Sequence, residues 1–259
     1  MPTVTAAGIE LAYARQGTGD PVVLIAGLSG QGRGWGSQVE RFAADFDTIV
    51  PDHPGTGGSG RPETHTLEHH ARAMADLIAE LGVGPAHIVG SSTGGAIAQI
   101  MALDHPGTVR TISLVSSWAR ADDFFRHQFA VRKDIAQRLG SEAYADSTAL
   151  FLFSPTFFRH HYDQVQSWRD SASRGDPEVM AARIDMIVAH DQLDRLGGIT
   201  CPTLVLVGST DGCTPPHLSA ELAAAIPAAE SVAIEGGHLI YKESPAEFHR
   251  VVKDFIDRH

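Results

Sequence analysis

"IVGSSTGGAIAQ", residues 88–99, sets two adjacent serines between glycines, where an apolar run gives way to a helix-forming one. With Ser92 at the centre, Gly90 and Gly94 fall two places to either side and the pattern is G-x-S-x-G. Centred on Ser91, the flanks become Val89 and Thr93, two β-branched residues where a sharp turn needs small ones. A strand, a serine and a helix with small flanking residues form a nucleophile elbow. Its turn is so tight that the serine is held in a strained backbone conformation with Oγ exposed. Ser92 is therefore the candidate nucleophile, and Ser91 is the residue before it.

The flanking sequence supports a strand before this serine and a helix after it. "TVTAAG" and "IELAYARQG" read as two short strands of a hairpin. "PVVLIAG" (21–27) is a continuous β-branched apolar run, as expected of a parallel strand buried on both faces. "DTIVPD", "AHIVG", "VRTISLVSS", "CPTLVLVG" (201–208) and "ESVAIEG" (230–236) read as further strands. Helical spacing appears from Trp35 to Asp45, over 66–81 ending at Gly82, and in "GGAIAQIMALDHP", stopped by Pro106. Such alternation predicts right-handed crossovers and a doubly wound, mostly parallel α/β sheet.

The alternation breaks between Trp118 and Gly197. This stretch is helical in pattern and holds 11 of the 18 aromatic residues. Two readings are compatible: a helical subdomain with its own small core, and a lid walling an apolar pocket above the sheet edge. The expected organisation is a core of 1–117 and 198–259, with a helical cap at 118–197 inserted after the sixth strand.

Composition narrows the function classes. The chain has 259 residues, is 43% hydrophobic and carries a formal charge of −11. No Lys/Arg block of five or more occurs, so nucleic acid is not an expected partner. Cys201 and Cys213 lack C-x-x-C spacing and are too few for a disulfide framework. No basic-then-apolar leader and no membrane-length apolar run is present, so a cytoplasmic protein without a membrane partner is expected. A small-molecule substrate is the expected partner; homo-oligomerisation stays open.

Two further elements follow in the order that serine hydrolysis uses, serine then acid then histidine. In "LVLVGSTDGCTPP", Asp211 lies just past the end of a buried strand, where open α/β sheets place their sites. An ordinary turn aspartate beside Gly212 is the alternative. In "IEGGHLIYKESPAEF", His238 follows a strand and two glycines, although with 14 histidines some will fall in loops by chance.

With these elements the sequence resembles the α/β-hydrolase superfamily over essentially its whole length. Ala26-Gly27-Leu28 resembles the family's "HG" loop, and "DHPGTGGS" (52–59) its D-x-x-G-x-G-x-S loop. Gly208, Asp211 and Pro215 match the acid loop, and Gly237, His238, Glu243 and Pro245 the G-H-x-x-x-x-E-x-P ending. "LIAGLSGQGRGW", "LVSSWAR" with "VRK", and "LFLFSP" are similar to a branch containing 3-oxoadipate enol-lactonases and aminoacrylate hydrolases. Ala26 and Ser91 stand where the family usually has histidine; both changes alter the walls of the site.

The resemblance implies an α/β-hydrolase fold and a serine hydrolase acting on a small ester or lactone. Ser92 would attack, His238 would shuttle the proton and Asp211 would hold the imidazole. Thr93 and Leu28 N–H groups would form the oxyanion hole, with no metal or organic cofactor. Gly27, Ser91, Ser117 and Trp118 are candidate substrate contacts. Arg120, Arg126, Arg132 and Lys133 are either holders of a substrate carboxylate or a solvated helix face. His160 and His161 lack further ligands at metal spacing, and Cys213 reads as a packed thiol. Carbon–carbon cleavage, amide or enamine hydrolysis and perhydrolysis on the same triad remain open. So does a non-enzymatic ligand receptor on this scaffold.

Overall fold

The computed structural model describes residues 1–172 and 176–259; residues 173–175, within the expected cap, lie outside the described residues. Eight strands form one sheet: β1 (Thr3–Ala6), β2 (Ile9–Gln16), β3 (Pro21–Ile25), β4 (Asp47–Pro51), β5 (Ala86–Ser91), β6 (Val109–Val115), β7 (Thr203–Gly208) and β8 (Glu230–Ile234). Their order is β1-β2-β4-β3-β5-β6-β7-β8. The β1–β2 and β2–β4 pairs are antiparallel and the others parallel. Every residue of β3, β4, β5 and β7 is buried, as continuous apolar runs between two helical layers require. From β3 the chain moves outward to β4, then returns to β5 on the other side of β3. That reversal creates the crevice at the strands' C-terminal ends where such sheets place their ligands.

The helices around the sheet begin and end on local chemistry. The helix expected from Trp35 is shorter. A single 3₁₀ turn covers Gly32–Trp35, Gly36 takes φ 54°, and α1 runs only over Gln38–Ala43. In α2 (Leu67–Leu81), Thr66 Oγ1 accepts from His69 N at 3.1 Å, and left-handed Gly82 ends the helix. Helix α3 (Thr93–Asp104) is buried on every side and points its N-terminus at the crevice.

Between β6 and β7 lie α4 (Asp123–Leu152), α5 (Pro155–His160), α6 (Tyr162–Ala172) and α7 (Pro177–Val188). Asp122 caps α4, which is interrupted at Gly140, φ 86° and ψ 179°. Helices α8 (Pro216–Ala225), α9 (Ile240–Glu243) and α10 (Pro245–Ile256) complete the core. Among the described residues no helix is long and apolar enough to cross a membrane.

Candidate active site

Strand β5 ends at Ser91 and α3 begins at Thr93, leaving Ser92 between them at φ 55° and ψ −114°, a region serine seldom enters. The strain is held by four hydrogen bonds. Ser92 N donates to Val115 O at 2.7 Å, and the Ser92 carbonyl accepts from Gly95 N, Ala96 N and Ser117 Oγ. A Cβ on Gly90 would lie 2.3 Å from Gly94 O, and one on Gly94 would lie 2.2 Å from Ile25 O. Only hydrogen fits at either flank, which fixes the register on Ser92. Ser91 is the last residue of the strand, paired with Val115 and buried.

The loop after β7 carries Asp211, and the loop after β8 carries His238. A Cβ on Gly208 would meet Gly237 O at 2.0 Å, so the two loops press together. His238 Nδ1 lies 2.9 and 3.1 Å from the Asp211 carboxylate oxygens, and both residues are buried. Asp211 Oδ1 accepts from Cys213 N and Thr214 N at 2.8 Å each, which holds the carboxylate still. Thr214 Oγ1 sits 2.9 Å from Asp211 Oδ2, 3.1 Å from His238 Nδ1 and 3.0 Å from Ser116 O. A neutral imidazole donating from Nδ1 to this carboxylate keeps its proton off Nε2, leaving Nε2 able to accept one.

Ser92 and His238 line one cavity of about 730 Å³, without a direct hydrogen bond between them. Gly27 and Leu28 line it too; a Cβ on Gly27 would stand 3.5 Å from Ser92 Cβ, so the β3 loop lies against the serine. Thr93 N–H, at the first position of α3, has no intrahelical acceptor and sits at the positive end of the dipole. Phe129, Tyr144, Phe153, Phe157 and Trp168, all from the segment between β6 and β7, line the cavity as well.

The profile of the alpha/beta hydrolase fold matches residues 20–245. The chain belongs to the α/β-hydrolase fold family. A relative from Azorhizobium caulinodans, named "Putative carbamate hydrolase RutD", is 34% identical over 98% of each chain. A solved thermophilic esterase from Thermogutta terrifontis, with malate bound, is 29% identical with TM-score 0.90, covering 99% of this chain and 98% of its own. The enol-lactonase from Burkholderia xenovorans LB400 is 26% identical with TM-score 0.92, covering 99% and 100%. With hydrolases related to it along its whole length, this α/β-hydrolase is a hydrolytic enzyme.

Two expected substrate contacts are not on the cavity wall of this α/β-hydrolase. Past β6, Ser116 takes φ 50° and the chain passes behind the elbow. Ser117 Oγ there supports the Ser92 carbonyl at 3.1 Å, and Trp118 packs fully buried against Phe125 and His190. Of the four candidate cations only Arg132 lines the cavity. Arg120 pairs with Glu221, Arg126 Nε donates to Ala121 O, and Lys133 pairs with Asp185. Arg132 is 3% exposed and its partners are neutral: Thr148 Oγ1, Tyr144 OH and Cys213 Sγ. Cys213 is a buried thiol, pushed up to about 11 by burial, which leaves it protonated and packed. His160 and His161 are exposed, and among the described residues no group of three ligands could hold a metal ion.

Sequence reasoning missed Thr214 and Arg183. Arg183, on α7, is 1% exposed and binds Leu28 O, Pro54 O and His53 Nδ1. Burial lowers its guanidinium to about 10, so it stays charged at neutral pH. Among the described residues the cavity lining holds Arg33, Arg61, Arg132, Arg183 and Lys242 against one carboxylate, Asp176. That inverts the sign of a chain whose formal charge is −11.

Proposed function

We propose that this protein is a serine hydrolase that cleaves a small carboxylic ester or lactone bearing an anionic group. The observation that carries the reading is Ser92 at positive φ on a cavity shared with His238, whose other nitrogen is bonded to Asp211. Ser92 Oγ attacks the carbonyl carbon while His238 Nε2 takes its proton, then returns it to the departing alcohol oxygen. Asp211 keeps the tautomer and stabilises the imidazolium. The Leu28 and Thr93 amides receive the oxyanion; losing one such donor typically costs about 3 kcal/mol of transition-state stabilisation. Water, with His238 as base, then cleaves the acyl-enzyme and frees Ser92.

The anionic preference follows from the cations. Arg132 is the support for it: a buried guanidinium that lines the cavity, covered by the Phe129 ring and bonded to no carboxylate, is a counter-charge for a substrate anion. The malate in the related esterase is consistent with this chemistry. We assign residues 118–197 the role of a cap over a core of 1–117 and 198–259. Its aromatic wall excludes water and strengthens the oxyanion contacts. A second reading, carbamate hydrolysis, is favoured by the relative that is 34% identical over the whole length.

The test is kcat/KM across p-nitrophenyl esters of rising chain length, matched esters with and without a terminal carboxylate, small lactones and carbamates. Short acyl groups should win, and a terminal carboxylate should raise kcat/KM about tenfold over its methyl ester, a charge-assisted contact's worth. Arg132→Met should erase that advantage. Activity climbing steadily to long acyl chains, or indifference to the carboxylate, would overturn the reading. Carbamates outrunning esters would select the second one.

A further inference from the structure

We propose that Arg183 is a positioning residue for the oxyanion loop, required for the chemical step rather than for holding substrate. The inference rests on the Ser92 acyl-enzyme reading. Gly30 N donates to Gly27 O at 2.9 Å, so residues 27–30 form a β-turn whose central peptide joins Leu28 to Ser29. The Leu28 N–H assigned to the developing oxyanion belongs to the peptide before that one, Gly27–Leu28, so its aim depends on where the whole turn is seated and on how Leu28 O is held.

Arg183 fixes that seat. Its Nε donates to Leu28 O at 2.8 Å, Nη2 to His53 Nδ1 at 2.9 Å and Nη1 to Pro54 O at 3.5 Å. The planar fork thereby ties the turn to the loop after β4. Those two loops also bind each other, His53 N to Gly30 O at 2.7 Å and Thr56 Oγ1 to Gly30 O at 2.9 Å. The fit is close: a Cβ on Gly30 would lie 2.7 Å from Arg183 Nη2. An arginine donating to Nδ1 also requires His53 neutral with its proton on Nε2, and burial, followed by the Arg183 charge, holds that imidazole well below its ordinary value. Burying a cation on neutral partners is unfavourable. What the guanidinium supplies, and a lysine cannot, is several donors in one rigid plane aimed at two loops. Because Arg183 belongs to α7, the inserted helices hold the oxyanion loop directly.

The experiment compares Arg183→Met and Arg183→Lys with the wild type in kcat, KM, affinity for an alkyl boronic acid that mimics the tetrahedral adduct, and thermal unfolding. A misplacement of about 1 Å costs roughly 100-fold. Arg183→Met should therefore lower kcat about 100-fold, leave KM within about threefold and weaken the boronic acid in parallel. Arg183→Lys, with charge kept and the fork lost, should lower kcat at least tenfold while the chain stays folded at the assay temperature. It carries the test if the Met variant fails to fold. Methylguanidine restoring kcat to a folded Met variant would add support. A rise in KM with kcat unchanged would make Arg183 a substrate contact, and wild-type kcat in a folded variant would deny it any role; either result overturns the proposal. The underlying reading fails separately, if Ser92→Ala in the otherwise wild-type chain keeps its activity.

Discussion

Gly94→Ala is a one-methyl test of how the elbow is built. The added Cβ would stand 2.2 Å from Ile25 O and 2.7 Å from Ala26 O, against about 3.4 Å for an ordinary contact. Both obstacles are backbone, so no rotamer relieves them, and the start of α3 must move about 1.2 Å from the end of β3. Overpacking of this kind costs about 1–3 kcal/mol, while alanine in place of glycine returns about 1 kcal/mol of helix propensity. The net loss of stability is about 0–2 kcal/mol. The effect on chemistry is larger. Ser92 and the Thr93 amide ride on α3, whereas Leu28 follows β3, so the same shift would open the proposed oxyanion site. Misplacement by about 1 Å costs on the order of 100-fold. The assay is kcat/KM on a short p-nitrophenyl ester beside urea unfolding, with Gly107→Ala as control, because a Cβ there meets nothing within 4 Å. Wild-type activity in Gly94→Ala, or activity lost only in step with global unfolding, would refute the steric account.

Two further outcomes follow from the buried polar groups. In Asp211→Asn, the amide oxygen stays on the Cys213 and Thr214 N–H groups and turns its NH₂ toward His238 Nδ1. That forces the proton onto Nε2, so kcat should fall about 10⁴-fold with little change in unfolding midpoint; wild-type turnover would mean that another group orients the imidazole. His190 is buried, its Nε2 3.3 Å from Gln99 Oε1, and burial lowers it from 6.5 to about 4. Between those pH values the unfolded chain takes a proton that the folded one refuses, so stability is full above pH 6.5 and falls as pH drops toward 4. The full shift corresponds to about 3 kcal/mol. His190→Gln should flatten this acid limb in pH-dependent urea titrations, and an unchanged slope would remove His190 as a contributor.

The parts legible in the sequence are those enforced by local sterics. Gly90 and Gly94 report backbone contacts that no side chain survives, and Ser92, Asp211 and His238 each follow a strand, β5, β7 and β8, on one side of the sheet. The apolar runs became strands because both sheet faces are covered. Tertiary choices were harder to see. Arg132 has the charge of Arg120, Arg126 and Lys133, yet it lies on the stripe Phe125, Phe129 and Ala136, whose helical spacing is the signal of an inward face. Arg183 sits 155 residues from Leu28, and nothing local marks that pairing. Ser117 and Trp118 were expected at the pocket because β6 points there, but the turn at Ser116 takes them behind the elbow. Thr214 is an unremarkable hydroxyl until the fold brings Asp211, His238 and Ser116 around it.

The central claim is that Ser92, not Ser91, is the nucleophile, and covalent labelling with a fluorophosphonate tests it most directly. Peptide mass mapping should place a single adduct on Ser92. Ser91→Ala should still label and keep a substantial fraction of activity, and Ser92→Ala should lose both label and most turnover while staying folded. An adduct mapped to Ser91, or full activity in a folded Ser92→Ala chain, would contradict the account.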